Sequence, residues 1–251
     1  MSEIKIDEKE IHTYDNGFHP KEVKLREKYT FYHHNWPFRI WSRIVIYFIA
    51  FIYFFPKKLY WGYKVYGKKN LKHLKGYTIV SNHVHPSDAF MIVTALKNKR
   101  LYTTTIQSNL GFGAVSRLFR YGGAVPIPTD IDKFKKFMRE TENTLKRGAN
   151  ILVYPEAALV PYCDHIREFK SGAFRFALSG NELIIPSVTT FHKPKGLYKL
   201  TRKKKPCLHY NILPPYKIEE LGNKKETLDK AMADVHKIMS DYFIENSDYF
   251  K

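Results

Sequence analysis

The sequence predicts an α/β domain built around a largely parallel sheet. Short apolar runs of β type recur along the chain, amphipathic helical stretches fall between them, and 251 residues suffice for one principal core. An aromatic, apolar segment precedes this alternation and stands apart from it.

Composition shifts divide the chain into a charged N-terminal arm over residues 1–35, an apolar helix over 36–62 and a domain over 63–251. Residues 1–28 mix acids and bases with hardly an apolar run, unlike a secretory signal, whose hydrophobic stretch lies near its start. From Ile44 to Phe55 there is no polar break. Trp36, Phe38, Ile40 and Trp41 extend the run backwards past Arg39 and Arg43, and Lys57 and Lys58 close it. A twelve-residue helix reaches about 18 Å, short of the ~30 Å hydrocarbon core of a bilayer. Length, aromatic density and cationic flanks predict an interfacial or half-inserted helix, with Trp and Tyr at headgroup level. The alternative is a core helix buried against the domain.

After Pro56 the expected strands are Tyr63–Tyr66, Tyr77–Ser81, Leu101–Thr105, Ala124–Ile127, Ile151–Tyr154, Leu183–Thr190 and Cys207–Leu213. Each is rich in β-branched or aromatic residues and bounded by Gly, Pro or charge. Pro86-Ser87-Asp88 opens a helix running to about Lys97. Ile131, Phe134, Met138 and Leu145 share one helical stripe, and Leu228, Met232, Val235, Met239 and Tyr242 form another, read as core packing.

An apolar fraction of 44% excludes a disordered chain and a multi-span membrane protein. Lys and Arg total 42 against 24 acids, a net charge of +18 that predicts attraction to polyanions. No helix-turn-helix, zinc-finger or RNA-binding signature accompanies the charge, so nucleic acid is not the expected partner. The run Arg202-Lys203-Lys204-Lys205 reads as a solvated loop with a possible role on anionic lipid. Cys163 and Cys207 make no disulfide framework and no metal-type spacing, which suits a reducing, intracellular compartment.

The chemistry concentrates in Ser81-Asn82-His83-Val84-His85-Pro86-Ser87-Asp88, where a strand ends and a helix begins. Such junctions are where α/β sheets present reactive groups. Ser87 or Asp88 can cap the helix and Pro86 fits its first turn. Asp88 on that turn can fold back on His83, bind one ring nitrogen and leave the other as a general base. An alcohol is a poor nucleophile at neutral pH, and a base that removes its proton is the help acyl transfer needs.

The His-x-x-x-x-Asp spacing, preceded by Asn82, resembles the signature of the glycerolipid acyltransferases, which include the lysophosphatidic acid acyltransferases. Three further blocks resemble that family's motifs and follow in its order: Gly122-Gly123-Ala124-Val125-Pro126-Ile127, Tyr154-Pro155-Glu156 and Ile185-Pro186-Ser187-Val188. Lys170-Ser171-Gly172-Ala173-Phe174 resembles the stretch that follows the third block. The resemblance implies a glycerol-3-phosphate acyltransferase-like fold: a mixed, largely parallel sheet flanked by helices, with an N-terminal membrane-associating helical element. It implies a catalytic His83 oriented by Asp88, Glu156 near the acceptor, an acyl-CoA or acyl-carrier-protein donor, and no redox cofactor. A lysophospholipid, by default 1-acyl-sn-glycerol-3-phosphate, is the implied acceptor, met on the cytoplasmic face of the cell membrane.

Two departures bear on the acceptor. The second motif usually ends in Arg, where this chain has Thr129; the third usually continues Gly-Thr-Arg, where it has Ala157-Ala158-Leu159. The family's arginines hold a phosphate, which suits their forked, permanent charge. Arg117, Arg120, Arg167 and Lys170 are the nearby substitutes, and Arg167 with Lys170 is the preferred substrate-binding pair, just ahead of an expected helix at Ser171. Otherwise the acceptor is another lysolipid or a glycolipid.

Two other classes compete. His83-Val84-His85 is an H-x-H pair such as zinc hydrolases use, but residue 89 is Ala rather than a following His, and the later histidines lack ligand spacing. A basic membrane-binding protein without activity is the other. The expected site therefore contains no metal.

Overall fold

The computed structural model describes residues 23–96, 99–180, 183–202 and 204–251. Residues 1–22 of the arm, Lys97 at the expected end of its helix and Lys203 of the basic run lie outside the described residues.

Residues 23–35 run across the domain as a strap. Leu25, Phe31 and Tyr32 are buried in the main core. The Tyr32 hydroxyl pairs with Thr141 Oγ1 at 2.8 Å, and Tyr102 donates to the His33 carbonyl at 2.7 Å. Asn35 then caps helix α1 (Trp36–Ile49), accepting from the Phe38 amide, with Pro37 in the first turn where a missing N–H costs nothing. The helix continues through a π segment (Ala50–Phe54) into α2 (Phe55–Trp61). Pro56 supplies no N–H to the preceding turn, and local widening of the helix is the usual response.

Along this continuous 36–61 element Ile49, Ala50 and Trp61 are buried, whereas Trp36, Trp41, Phe48, Phe51 and Leu59 are each more than half exposed. The core-helix alternative fails on that exposure. Among the described residues no helix is long and apolar enough to cross a membrane.

Among the described residues the sheet has eight strands. In chain order they are β1 (Lys64–Tyr66), β2 (Thr78–Ser81), β3 (Leu101–Ile106), β4 (Ala124–Ile127), β5 (Asn150–Val153), β6 (Leu183–His192), β7 (Cys207–Ile212) and β8 (Tyr216–Lys217). The order across the sheet is β1-β7-β6-β2-β5-β3-β4, with β8 also on β6. Strands β6, β2, β5, β3 and β4 run parallel, β7 and β8 run antiparallel to β6, and β1 follows β7. The sheet is mixed, with a five-stranded parallel centre, as the sequence led us to expect. Every residue of β2 and β5 is buried, which explains their unbroken apolar pattern.

The remaining helices are α3 (Asp88–Ala95), α4 (Ala114–Tyr121), α5 (Ile131–Lys146), α6 (Gly172–Ser179), α7 (Tyr198–Thr201) and α8 (Lys224–Asn246). Helices α5, α6 and α8 pack on one another and on β5, β2 and β6. Asp130 caps α5 by accepting from the Lys133 amide, and Phe137 and Leu145 fill the core beneath it. Ile131, expected on that stripe, is 71% exposed, and its neighbours across residues 129–132 at the start of the helix are exposed too. A second group is α1 with α3 and α4, where Ser42 Oγ donates to the Tyr121 carbonyl. Helix α4 and strand β4 meet at Gly123, whose φ is +95°; a Cβ there would lie 2.7 Å from the Leu101 carbonyl oxygen. Only glycine fits, which accounts for that residue in the second motif.

Candidate active site

Strand β2 lies between β5 and β6, so the loop leaving its carboxyl end opens at the edge where parallel sheets present ligands. The loop is anchored by Asn82, which is fully buried. Its Oδ1 accepts from the Thr189 amide at 2.8 Å and its Nδ2 donates to the Thr189 carbonyl at 3.1 Å. The side-chain amide thereby imitates one more rung of the β2–β6 ladder. Sequence reading assigned Asn82 no task; its position next to His83 was the available signal.

His83 Nδ1 lies 2.8 Å from Asp88 Oδ2. The same oxygen accepts from the backbone amides of Val84 at 3.1 Å and His85 at 3.3 Å. One carboxylate at the start of α3 thus closes the 83–88 turn and sets the imidazole. With an acceptor opposite Nδ1, that nitrogen carries the proton and Nε2 holds the free lone pair. Asp88 is 1% exposed. The Tyr154 ring stacks on His83 with centroids 4.1 Å apart and planes 18° apart, fixing the second degree of freedom. Burial, then the neighbouring Asp88 charge, holds the Tyr154 phenol well above its ordinary pKa, so it stays protonated.

Glu156 lies beneath this turn. Its Oε2 accepts from the His83 amide at 3.3 Å and from Arg167 Nη2 at 2.9 Å, while Oε1 accepts from the Arg167 amide at 3.4 Å. Arg167 also donates to the Ala158 carbonyl. Burial raises the Glu156 pKa, and the Arg167 guanidinium is the main opposing influence. The loop between them pairs with the 83–88 turn, Val160 donating to the His83 carbonyl and Tyr162 to the Val84 carbonyl. The fold therefore brings His83, Asp88, Glu156 and Arg167 together. Lys170 joins only through its amide, which donates to the Pro155 carbonyl; its side chain is exposed at the start of α6. Arg120 lies elsewhere, against the strap, donating to the Thr30 carbonyl and resting on the Tyr29 ring.

Ala157, at the place the family usually fills with Gly, has φ of +61°. A left-handed alanine costs about 1–2 kcal/mol, and glycine's looser unfolded chain returns about 0.4–1 kcal/mol of that. Ala157→Gly is therefore expected to stabilise by about 1 kcal/mol, raising Tm by roughly 2–4 °C. A calorimetric Tm equal to or below that of the parent would contradict the strain.

His85 does not join His83 in a metal pair. Its Nδ1 accepts from the Ser87 amide at 3.1 Å, and its ring meets Trp61 and Tyr162 edge-on. Burial is the first cause that lowers its pKa to about 4; Asp88 opposes the shift and Arg202 and Lys205 reinforce it. Burial lowers His34 and His209 to about 4 as well. The unfolded chain takes up these protons near pH 6.5, before the folded one does, so stability is full above that pH and lost as pH falls towards 4. Thermal midpoints should decline across that window, and His85→Gln should flatten the slope. Among the described residues, the group that gathers three metal-type ligand atoms is Cys163, Asp164 and His165, the last two exposed.

A family model described as Acyltransferase matches residues 62–190, more than half of the chain. Among solved structures the chain is similar to the crystal structure of the 1-acyl-sn-glycerophosphate (LPA) acyltransferase PlsC from Thermotoga maritima. That similarity has 16% identity and a TM-score of 0.46, covering 80% of this chain and 96% of the other. No curated protein matches it. The stretch from Asn82 to Val188, with its four ordered motifs, falls inside the matched residues, and the chain belongs to the Acyltransferase family.

Proposed function

We propose that the protein moves a fatty acyl group from the thioester of acyl-CoA or acyl-carrier protein to the free hydroxyl of a lysophospholipid, first of all 1-acyl-sn-glycerol-3-phosphate. The single observation that carries this reading is the 2.8 Å His83–Asp88 contact at the carboxyl edge of β2, which leaves Nε2 as a proton acceptor. In the reaction Nε2 takes the hydroxyl proton as the oxygen bonds to the thioester carbon. The tetrahedral oxyanion then collapses, the carbon–sulfur bond breaks, and the departing thiolate takes the proton back from His83. The Asp88 charge stabilises the imidazolium between those steps. The exchange of thioester for ester needs no redox cofactor.

Glu156 and Arg167 hold the loop from Ala157 to Ile166 in register with His83, and Lys170, exposed and anchored by its amide to Pro155, is the cation proposed for a headgroup phosphate. Arg167 already serves Glu156 and Ala158, and Thr129 and Leu159 offer no charge. Selectivity for a phosphate monoester should accordingly be shallow, with other lysophospholipids accepted. The 36–61 helix lies in the headgroup region of the cytoplasmic leaflet, its exposed aromatic face against acyl chains.

The test is transfer from one radiolabelled acyl-CoA to a panel of hydroxylated lipids with and without phosphate. Ester formed on lysophosphatidic acid and on other lysophospholipids is expected. Product formed solely on a phosphate-free acceptor would overturn the default substrate, and no product on any hydroxyl would overturn the activity.

A further inference from the structure

Past β6 the chain enters residues 193–205, KPKGLYKLTRKKK, where seven of thirteen residues are cationic. No Asp or Glu occurs between residues 183 and 218, so no acid in the segment or its flanking strands offsets that charge. The same segment exposes two leucines, Leu197 at 81% and Leu200 at 70%. Lys195, Lys199 and Lys204 are exposed around them. Exposed leucines among lysines are costly in water and favourable where hydrocarbon lies beneath a layer of phosphates.

The described residues of the segment are held in place. Arg202 is 2% exposed and folds back, its Nε and Nη2 both donating to the Pro206 carbonyl, at 3.2 and 2.6 Å. Its guanidinium rests over the Tyr60 ring at 5.4 Å, tying the segment to the end of α2. Gly62 abuts it too: a Cβ there would lie 3.5 Å from Tyr198 Cε1 and 2.6 Å from Cys207 Sγ. Lys205 stands 6.0 Å over Tyr162, whose amide bonds the Val84 carbonyl beside the catalytic histidine. The platform is thus fastened both to the exposed apolar helix and to the active-site loop.

We infer that residues 193–205 form a second membrane contact, with Leu197 and Leu200 entering the interface and Lys195, Lys199 and Lys204 binding the phosphates of anionic phospholipids. Arg202 is the pin of this platform and does not meet lipid. The inference rests on the reading that the 36–61 helix docks on a bilayer, and it adds to that helix's four cations a denser cluster that strengthens the preference for negative leaflets. It also orients the molecule, because two contacts, one of them fastened to the active-site loop, fix the tilt at which His83 faces the lipid.

The test uses the full chain with vesicles of phosphatidylcholine alone and with 30 mol% phosphatidylglycerol. The variant Lys195→Gln/Lys199→Gln/Lys204→Gln should bind the anionic vesicles about a hundredfold more weakly, at roughly fivefold per lysine. It should bind neutral vesicles like wild type and transfer acyl groups to a dispersed, short-chain acceptor at the wild-type rate. Leu197→Ser/Leu200→Ser should weaken binding to both vesicles. Wild-type binding that 0.5 M salt lowers to the lysine variant's level is the expected companion result. A lysine variant that holds anionic vesicles as tightly as wild type overturns the second contact alone. A wild-type chain that binds neither vesicle overturns the membrane reading itself.

Discussion

Replacing His83 by Ala should lower acyl transfer by about 10³-fold, within the 10²–10⁴ that a positioned general base supplies, and leave Tm nearly unchanged. Stability is spared because the features that hold the turn are not in the ring. Asp88 still accepts from the Val84 and His85 amides, and Glu156 still accepts from the amide of residue 83. Asp88→Asn divides the role further. An amide oxygen can occupy the place of Oδ2 and keep the three bonds, but it carries no charge to stabilise the imidazolium. Its expected loss is in kcat, with KM little altered, since the aspartate never meets the acceptor. Single-turnover transfer with a dispersed acceptor reads both variants. A well-folded alanine variant within tenfold of wild type would remove His83 from the reaction.

Much of this site was legible because it is local. Asp88 lies five positions after His83, and its carboxylate closes the turn by accepting from the Val84 and His85 amides and meeting the imidazole. Strands β2 and β5 could be read because burial on both faces leaves an unbroken apolar run. The direction of β7 was not in its residues: an antiparallel neighbour and a parallel one carry the same pattern. The fourteen residues between β6 and β7 hold only the four of α7, too little for a helical crossover, and that connection forces the reversal. Helix α4 is short and begins after Gly113 at φ +58°, without a side-chain cap, so no start signal marked it. The stacking of Tyr154 on His83 and the ladder-like bonds of Asn82 join residues seventy or more positions apart, and such pairings appear only once the sheet order is known. Glu156 was read through its motif, but its pairing was not: Arg167 was expected to meet the substrate, and the fold brings its guanidinium to the glutamate.

That grip makes Arg167→Ala the substitution with the largest expected effect on stability. The guanidinium and carboxylate are 9% and 1% exposed, so removing one leaves the other charged in a low-dielectric site. Breaking a buried pair in this way costs about 3–5 kcal/mol, which for a chain of this size lowers Tm by roughly 10 °C. The loss should be uneven in kind as well. Without its arginine Glu156 loses the strongest influence opposing burial, so its pKa would rise further towards the neutral form, with the backbone amides of His83 and residue 167 still lowering it. A neutral Glu156 accepts more weakly from the His83 amide, so kcat should fall together with Tm. The double variant Arg167→Leu/Glu156→Gln, which removes both charges at once, should regain a large part of the stability, because no unpaired ion is left behind. It should not regain kcat, since the loop from Ala158 to Ile166 would have lost the contact that ties it to the catalytic turn. An arginine that instead grips the acceptor gives the opposite pattern: Arg167→Ala would melt like wild type while KM for a phosphate-bearing acceptor rose tenfold or more, and the brace would then have to be given up.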